Sequence, residues 1–132
     1  MKTLITFVCL MLCSLTDFAQ QTTLWEVFGS TTCDAETFET GYVTQNSIKV
    51  RQVGNRFYWG ESNYFDVYNK DVNHDGFSSY TSWDFIDKFK QRGQMIYQNN
   101  RNADWGTRNM FYIFYEGHPT GMLYLSRDPQ QK

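Results

Sequence analysis

Residues Asn109 to Glu116 carry two alternating sets of side chains, and both sets are apolar: Phe111, Ile113 and Tyr115 on one side, Met110, Tyr112 and Phe114 on the other. Successive side chains of a strand point to opposite faces. A strand of this kind does not suit a sheet with one wet face; it is central or covered on both sides. Gly121 to Ser126 follows across Gly117-His118-Pro119-Thr120, so the two segments read as a β-hairpin.

The same β character runs through most of the chain. Four Trp and nine Tyr favour strands with aromatic cross-strand packing. Thr22 to Phe28 reads as a strand broken by Gly29-Ser30, and Phe38 to Thr44 as a second. Ser47 to Val53 alternates Ile48 and Val50 against Lys49 and Arg51. Gly54-Asn55 marks a turn before Arg56 to Trp59, and Tyr64 to Tyr68 and Gln94 to Gln98 are further short strands. One helix is expected at residues 81–92. Thr81 and Asp84 form a capping box, Phe85, Ile86 and Phe89 an apolar stripe, and Gly93 a stop. The expected fold class is therefore α+β, mainly β: one small antiparallel or half-barrel sheet packed with that helix. Asp128 to Lys132 is expected to fray.

Met1-Lys2, the apolar run from Leu4 to Leu15, and Ala19 before Gln20-Gln21 read as a signal peptide over residues 1–19. The apolar run is too short to span a bilayer. Residues 20–132 then form a single globular domain that is secreted, periplasmic or extracellular, with no stable membrane insertion. Lys2 and Asp17 leave with the leader, so totals of 12 basic and 14 acidic residues become 11 and 13. A net charge of −2 gives no general attraction to nucleic acid. The signs are locally separated: Glu61 to Asp87 is acidic, and Lys88 to Arg108 is basic. Cys9 and Cys13 also lie in the leader, which leaves Cys33 without an intramolecular partner. It is read either as a buried small hydrophobe or as an exposed thiol joining a homodimer.

The densest polar cluster is Asp71-Val72-Asn73-His74-Asp75-Gly76-Phe77-Ser78-Ser79. Oxygen side chains fall at positions one, three and five, with glycine at six, which suits a hard cation. Asp71, Asn73, Asp75, the Phe77 carbonyl, Ser79 and Asp84 are the candidate ligands of a structural Ca²⁺ in the 71–82 loop. The segment resembles the calcium loops of EF-hand and dockerin-like proteins. That resemblance implies calcium-dependent folding of a cohesin-binding module. It covers about twelve residues, places Ser82 where the bidentate acid belongs, and has no second copy, so dockerin is not the whole fold. The other reading is an ordinary Asp/Asn/Gly turn.

Rings that stack on glycans and peptides also fill cores. Trp59, Tyr64, Trp105 and Arg108 are the candidate ligand-binding residues. His74 and His118 are far apart in sequence, and no Gly-x-Ser-x-Gly, His-Glu-x-x-His or phosphate-cradling glycine loop is present. The first expectation is a secreted non-enzymatic module that binds an extracellular protein or glycan through aromatic surface residues. A small carboxylate-based, glycan-directed hydrolase is the alternative, with Glu61, Asp66, Asp71, Asp75 and Glu116 as its acids. A secreted inhibitor or structural interaction protein is the third.

Overall fold

The computed structural model describes residues 21–74, 78–100 and 106–131. Nine strands account for most of them: β1 (Thr22–Asp34), β2 (Thr44–Val53), β3 (Arg56–Trp59), β4 (Asn63–His74), β5 (Ser78–Asp87), β6 (Arg92–Asn100), β7 (Asn109–Tyr115), β8 (Thr120–Ser126) and β9 (Gln130–Gln131). Each of β2 to β7 pairs antiparallel with the next, and β1 closes the ring by pairing with both β2 and β8. The result is a closed eight-stranded up-and-down barrel, with β9 added along the start of β1. Closure removes most of the open edges that an eight-stranded sheet would otherwise present.

This overturns the expected α+β class. Among the described residues there is no helix, and the segment expected to be helical at 81–92 is most of β5, a tight turn and the first residue of β6. Two periods compete in that segment. The helical one groups Phe85, Ile86 and Phe89; the two-residue one sends Trp83, Phe85 and Asp87 to one side. The strand wins because β4 and β6 supply ladder partners on both edges, whereas a lone twelve-residue helix is marginal by itself. Phe89 is left in the turn, 68% exposed. Asp84 is not a helix cap but accepts a hydrogen bond from Asn69 Nδ2 at 2.9 Å.

Two further boundaries move. Gly29-Ser30 does not end β1, which continues to Asp34 through a one-residue bulge at Phe28. The bulge reverses the alternation. Trp25 and Val27 face inward before it, and Cys33 faces outward after it. Residues 38–43, expected as strand, form a loop whose one ladder contact with β1 is the Cys33–Thr40 bridge, with the Phe38 N–H donating to the Asp34 carbonyl at 3.0 Å beside it.

The interior is filled by rings. Trp25, Phe57, Trp59, Phe65, Trp83, Phe85 and Phe111 pack with Val27, Val50, Val67, Met95 and Ile113 in one buried cluster. Most ring pairs meet edge to face, as between Trp25 and Phe111 at 5.2 Å and Phe57 and Trp83 at 5.2 Å. This arrangement suits aromatic quadrupoles. Eight strands give an interior just wide enough for side chains to fill.

A second cluster lies outside the wall: Cys33, Met110, Phe114, Leu123 and Leu125, with Phe28, Ala35, Ile96 and Tyr112 packed against it. Phe38 lies edge-on to Tyr112 and Phe114 at 5.6 and 5.7 Å. β7 is therefore buried on both faces, as its two apolar sets require. Cys33 is fully buried, and burial followed by the neighbouring Asp34 pushes its thiol pKa up.

Candidate functional site

The barrel has two unlike ends. The turns after β3, β5 and β7 and the loop after β1 lie at one; the first residues of β1 and β7, the last of β6, the turn after β2 and the tail after β8 lie at the other.

At the first end Asp87 is 2% exposed and fully engaged. Its Oδ1 accepts the backbone N–H groups of Phe89 and Gln91, each at 2.9 Å, and its Oδ2 accepts the Tyr115 hydroxyl at 2.9 Å. Burial first, and then the hydrogen bond to Asp87, hold the Tyr115 pKa well above its ordinary value. Gly93 lies opposite Phe85 across β5 and β6. A Cβ there would overlap the Phe114 carbonyl oxygen and the Phe85 ring, so only glycine fits without a shift.

At the second end a polar network tops the aromatic core. Asn109 is completely buried. Its Oδ1 accepts from the Tyr97 hydroxyl at 2.5 Å and from Asn99 Nδ2 at 3.2 Å, while its Nδ2 donates to Asp128 Oδ1 at 2.8 Å. The Thr107 hydroxyl donates to the Ser126 carbonyl and accepts the Asn109 N–H at 3.2 Å. The Trp25 indole N–H lies beside the Tyr97 hydroxyl without meeting hydrogen-bond geometry. Burial raises the Tyr97 pKa. These contacts knit Thr107 and Asn109 to Ser126 and Asp128, so that part of the rim is pre-organised.

That rim encloses a cleft of about 820 Å³, lined by Phe28, Asn100, Gly106, Thr107, Arg108, Arg127 and Asp128. Arg108 Nε lies 3.5 Å from Asp128 Oδ1, and Arg127 Nε lies 3.9 Å from Glu26 Oε2. All four side chains are more than half exposed. The Arg127 guanidinium also sits 5.6 Å above the Phe28 ring. The cleft thus offers two guanidinium forks, one accessible carboxylate and an apolar shoulder.

The ligand-binding residues expected from sequence are scattered. Arg108 is on the cleft. Trp59 is inside the barrel against Phe65, Phe111 and Tyr124, with its indole N–H buried and unpartnered. Tyr64 is on the outer wall, under the Arg56 guanidinium at 4.0 Å, and Arg56 is itself forked onto Asp66 at 2.7 and 3.0 Å. Trp105 lies outside the described residues.

Of the expected calcium ligands, Asp71 and Asn73 lie in β4, paired with Ser82 and Tyr80 of β5. Two residues apart in an extended strand, their Cα atoms are about 7 Å from each other. Ser79 pairs with His74, on the opposite face, and Asp84 bonds Asn69. Asp75 and Phe77 lie outside the described residues. Among the described residues, no group of three His, Cys, Asp or Glu side chains is placed to hold a metal ion.

Sequence reasoning missed Asp128, Arg127, Asn109 and Phe28. Asp128 was assigned to a fraying tail, yet Gln130 and Gln131 pair with Leu24 and Thr23. Asp128-Pro129 is the turn signal that marks the step between β8 and β9. No family model, curated protein or solved structure matches this chain.

Proposed function

We propose that this chain is a secreted, non-enzymatic binding module that recognises an extracellular protein or glycan at the open-end cleft. The observation that carries the reading is Asp128, held by the buried Asn109 beside Arg108 on a cleft that Arg127 also lines, with the ion pairs of both arginines long and exposed. Long, exposed pairs contribute little to stability. Their placement on an ordered rim therefore serves recognition better than folding. The filled interior supports the same view, because recognition then falls to the rim and the outer wall.

The hydrolase alternative would want an acid set in a groove with a proton to give. The buried acid that the structure does contain, Asp87, spends both oxygens on the β5–β6 turn and on Tyr115. That role is structural. A structural calcium at the β4–β5 tip remains part of this proposal. A melting temperature raised by millimolar calcium, and not by magnesium, would support it; equal melting in EDTA would remove it.

The test of the main reading is a glycan and peptide array probed with the wild type and with Arg108→Gln/Arg127→Gln. Specific spots that disappear in the double variant, with an unchanged melting temperature, are the expected result. Release of reducing ends from a bound glycan would move the protein to the hydrolase class. Spots that persist in the double variant would move the site away from the cleft.

A further inference from the structure

We propose that the ligand is an acidic glycan, and that the cleft holds a uronate carboxylate between Arg108 and Arg127. This rests on the open-end reading above and names the ligand class for the same site.

The argument starts from unspent hydrogen-bonding capacity. At 3.5 and 3.9 Å the two nitrogen–oxygen approaches are longer than charge-assisted hydrogen bonds. Among the described residues, neither guanidinium donates a side-chain hydrogen bond. Both forks therefore remain available for a planar anion, and the fork geometry matches a carboxylate. Among the described residues, the lining of the cleft carries Arg108, Arg127 and Asp128, with Glu26 standing 3.9 Å from Arg127. Glu26 draws Arg127 aside only from a distance.

Asp128 narrows the class. Its Oδ1 is occupied by Asn109 Nδ2, while its Oδ2 accepts nothing among the described residues. A free carboxylate oxygen beside two forks calls for a ligand that carries donors next to its own carboxylate. A uronic acid ring does this: its hydroxyls donate where Asp128 accepts, and its carboxylate accepts where the arginines donate. A run of acidic peptide side chains carries no hydroxyls beside its carboxylates and offers only backbone N–H groups as donors. Phe28 adds a cation–π contact on one side of the exposed Arg127 guanidinium, at 5.6 Å.

The experiment is calorimetric titration of the full chain with four probes: tetragalacturonate, its methyl ester, cellotetraose and a tetraglutamate peptide. The expected result is binding of tetragalacturonate alone, weakened by salt and reduced about tenfold to hundredfold in Arg108→Gln/Arg127→Gln. Arg56→Gln, which removes a guanidinium on the outer wall, should leave the affinity unchanged. If the methyl ester or cellotetraose binds as tightly as the acid, the uronate assignment is overturned while the binding-module reading stands. Preference for tetraglutamate replaces the glycan with an acidic peptide. Equal losses in Arg56→Gln and the double variant mean diffuse charge attraction and overturn the site. Binding of none of the four overturns the uronate class; the array, which samples other ligands, judges the open-end reading separately.

Discussion

Asp87 and Asp128 lie at opposite ends of one barrel, and each accepts hydrogen bonds that position its neighbours. Asp87 is sealed: its partners are two turn N–H groups and a tyrosine, and water does not reach it. Asp128 has one oxygen anchored by Asn109, while its side chain is 69% exposed. The first arrangement is how a carboxylate stabilises a turn. The second orients a carboxylate toward solvent, with its reorganisation limited by a buried amide. The difference separates an acid spent on the fold from one left open to solvent without any appeal to the residue type.

The contrast is most easily broken by truncating both acids. Asp87→Ala should cost about 3 kcal/mol, since it leaves three donors without the acceptor that holds the turn; Asp128→Ala should cost about 1 kcal/mol, because water can replace it at the mouth. Equal costs in chemical denaturation would erase the distinction. Gly93→Ala sharpens it from the backbone side. Forcing a methyl against Phe85 and the Phe114 carbonyl should cost about 1–3 kcal/mol by the same measurement. A cost near zero would show the sealed end to be looser than drawn.

A milder effect is expected from alkali. The Tyr115, Tyr97, Tyr112 and Tyr124 pKa values are all raised by burial. A raised folded-state pKa means the native protein binds more protons than the unfolded chain once pH passes the free tyrosine value of about 10. The resulting stability is complete below that pH and is lost as pH rises towards the folded-state values. Melting temperatures measured from pH 8 upward should be level and then fall. Tyr115→Phe should shallow the fall; an unchanged slope would show that the Asp87–Tyr115 contact does not contribute to it. The smallest expected effect is at the open rim, where Arg108→Gln and Arg127→Gln should each shift stability by no more than about 0.5 kcal/mol. A larger loss in a denaturant titration would make the arginines structural and weaken their assignment to recognition.

Much of the β structure was legible because alternation is written locally. Asn109 to Tyr115 declared itself buried on both faces, and Gly54-Asn55 located the turn between β2 and β3. The segment at 81–92 was misread because Phe85-Ile86 fits either period, and the choice was made by ladder partners on β4 and β6. The open-end site was barely legible. Arg108 stood out through its basic and aromatic neighbourhood. Asp128 lies in what reads as a loose tail, and Asn109 reads as the start of an apolar strand.

Strand character, turn positions and aromatic richness follow from the sequence by itself, because they depend on dihedral preferences and spacings within a few residues. Tertiary structure decided the closure of the barrel and the face each residue occupies. Closure joins Val27 to Ser126, nearly a hundred positions apart, and the Phe28 bulge turns Cys33 from the interior to the outer wall. One inserted residue reverses every side chain beyond it, and pairing between distant strands is a property of the whole sheet. The same physics decided that Asp87 is sealed and Asp128 is open, for burial is fixed by what the fold brings over a residue and not by the residues beside it in the chain.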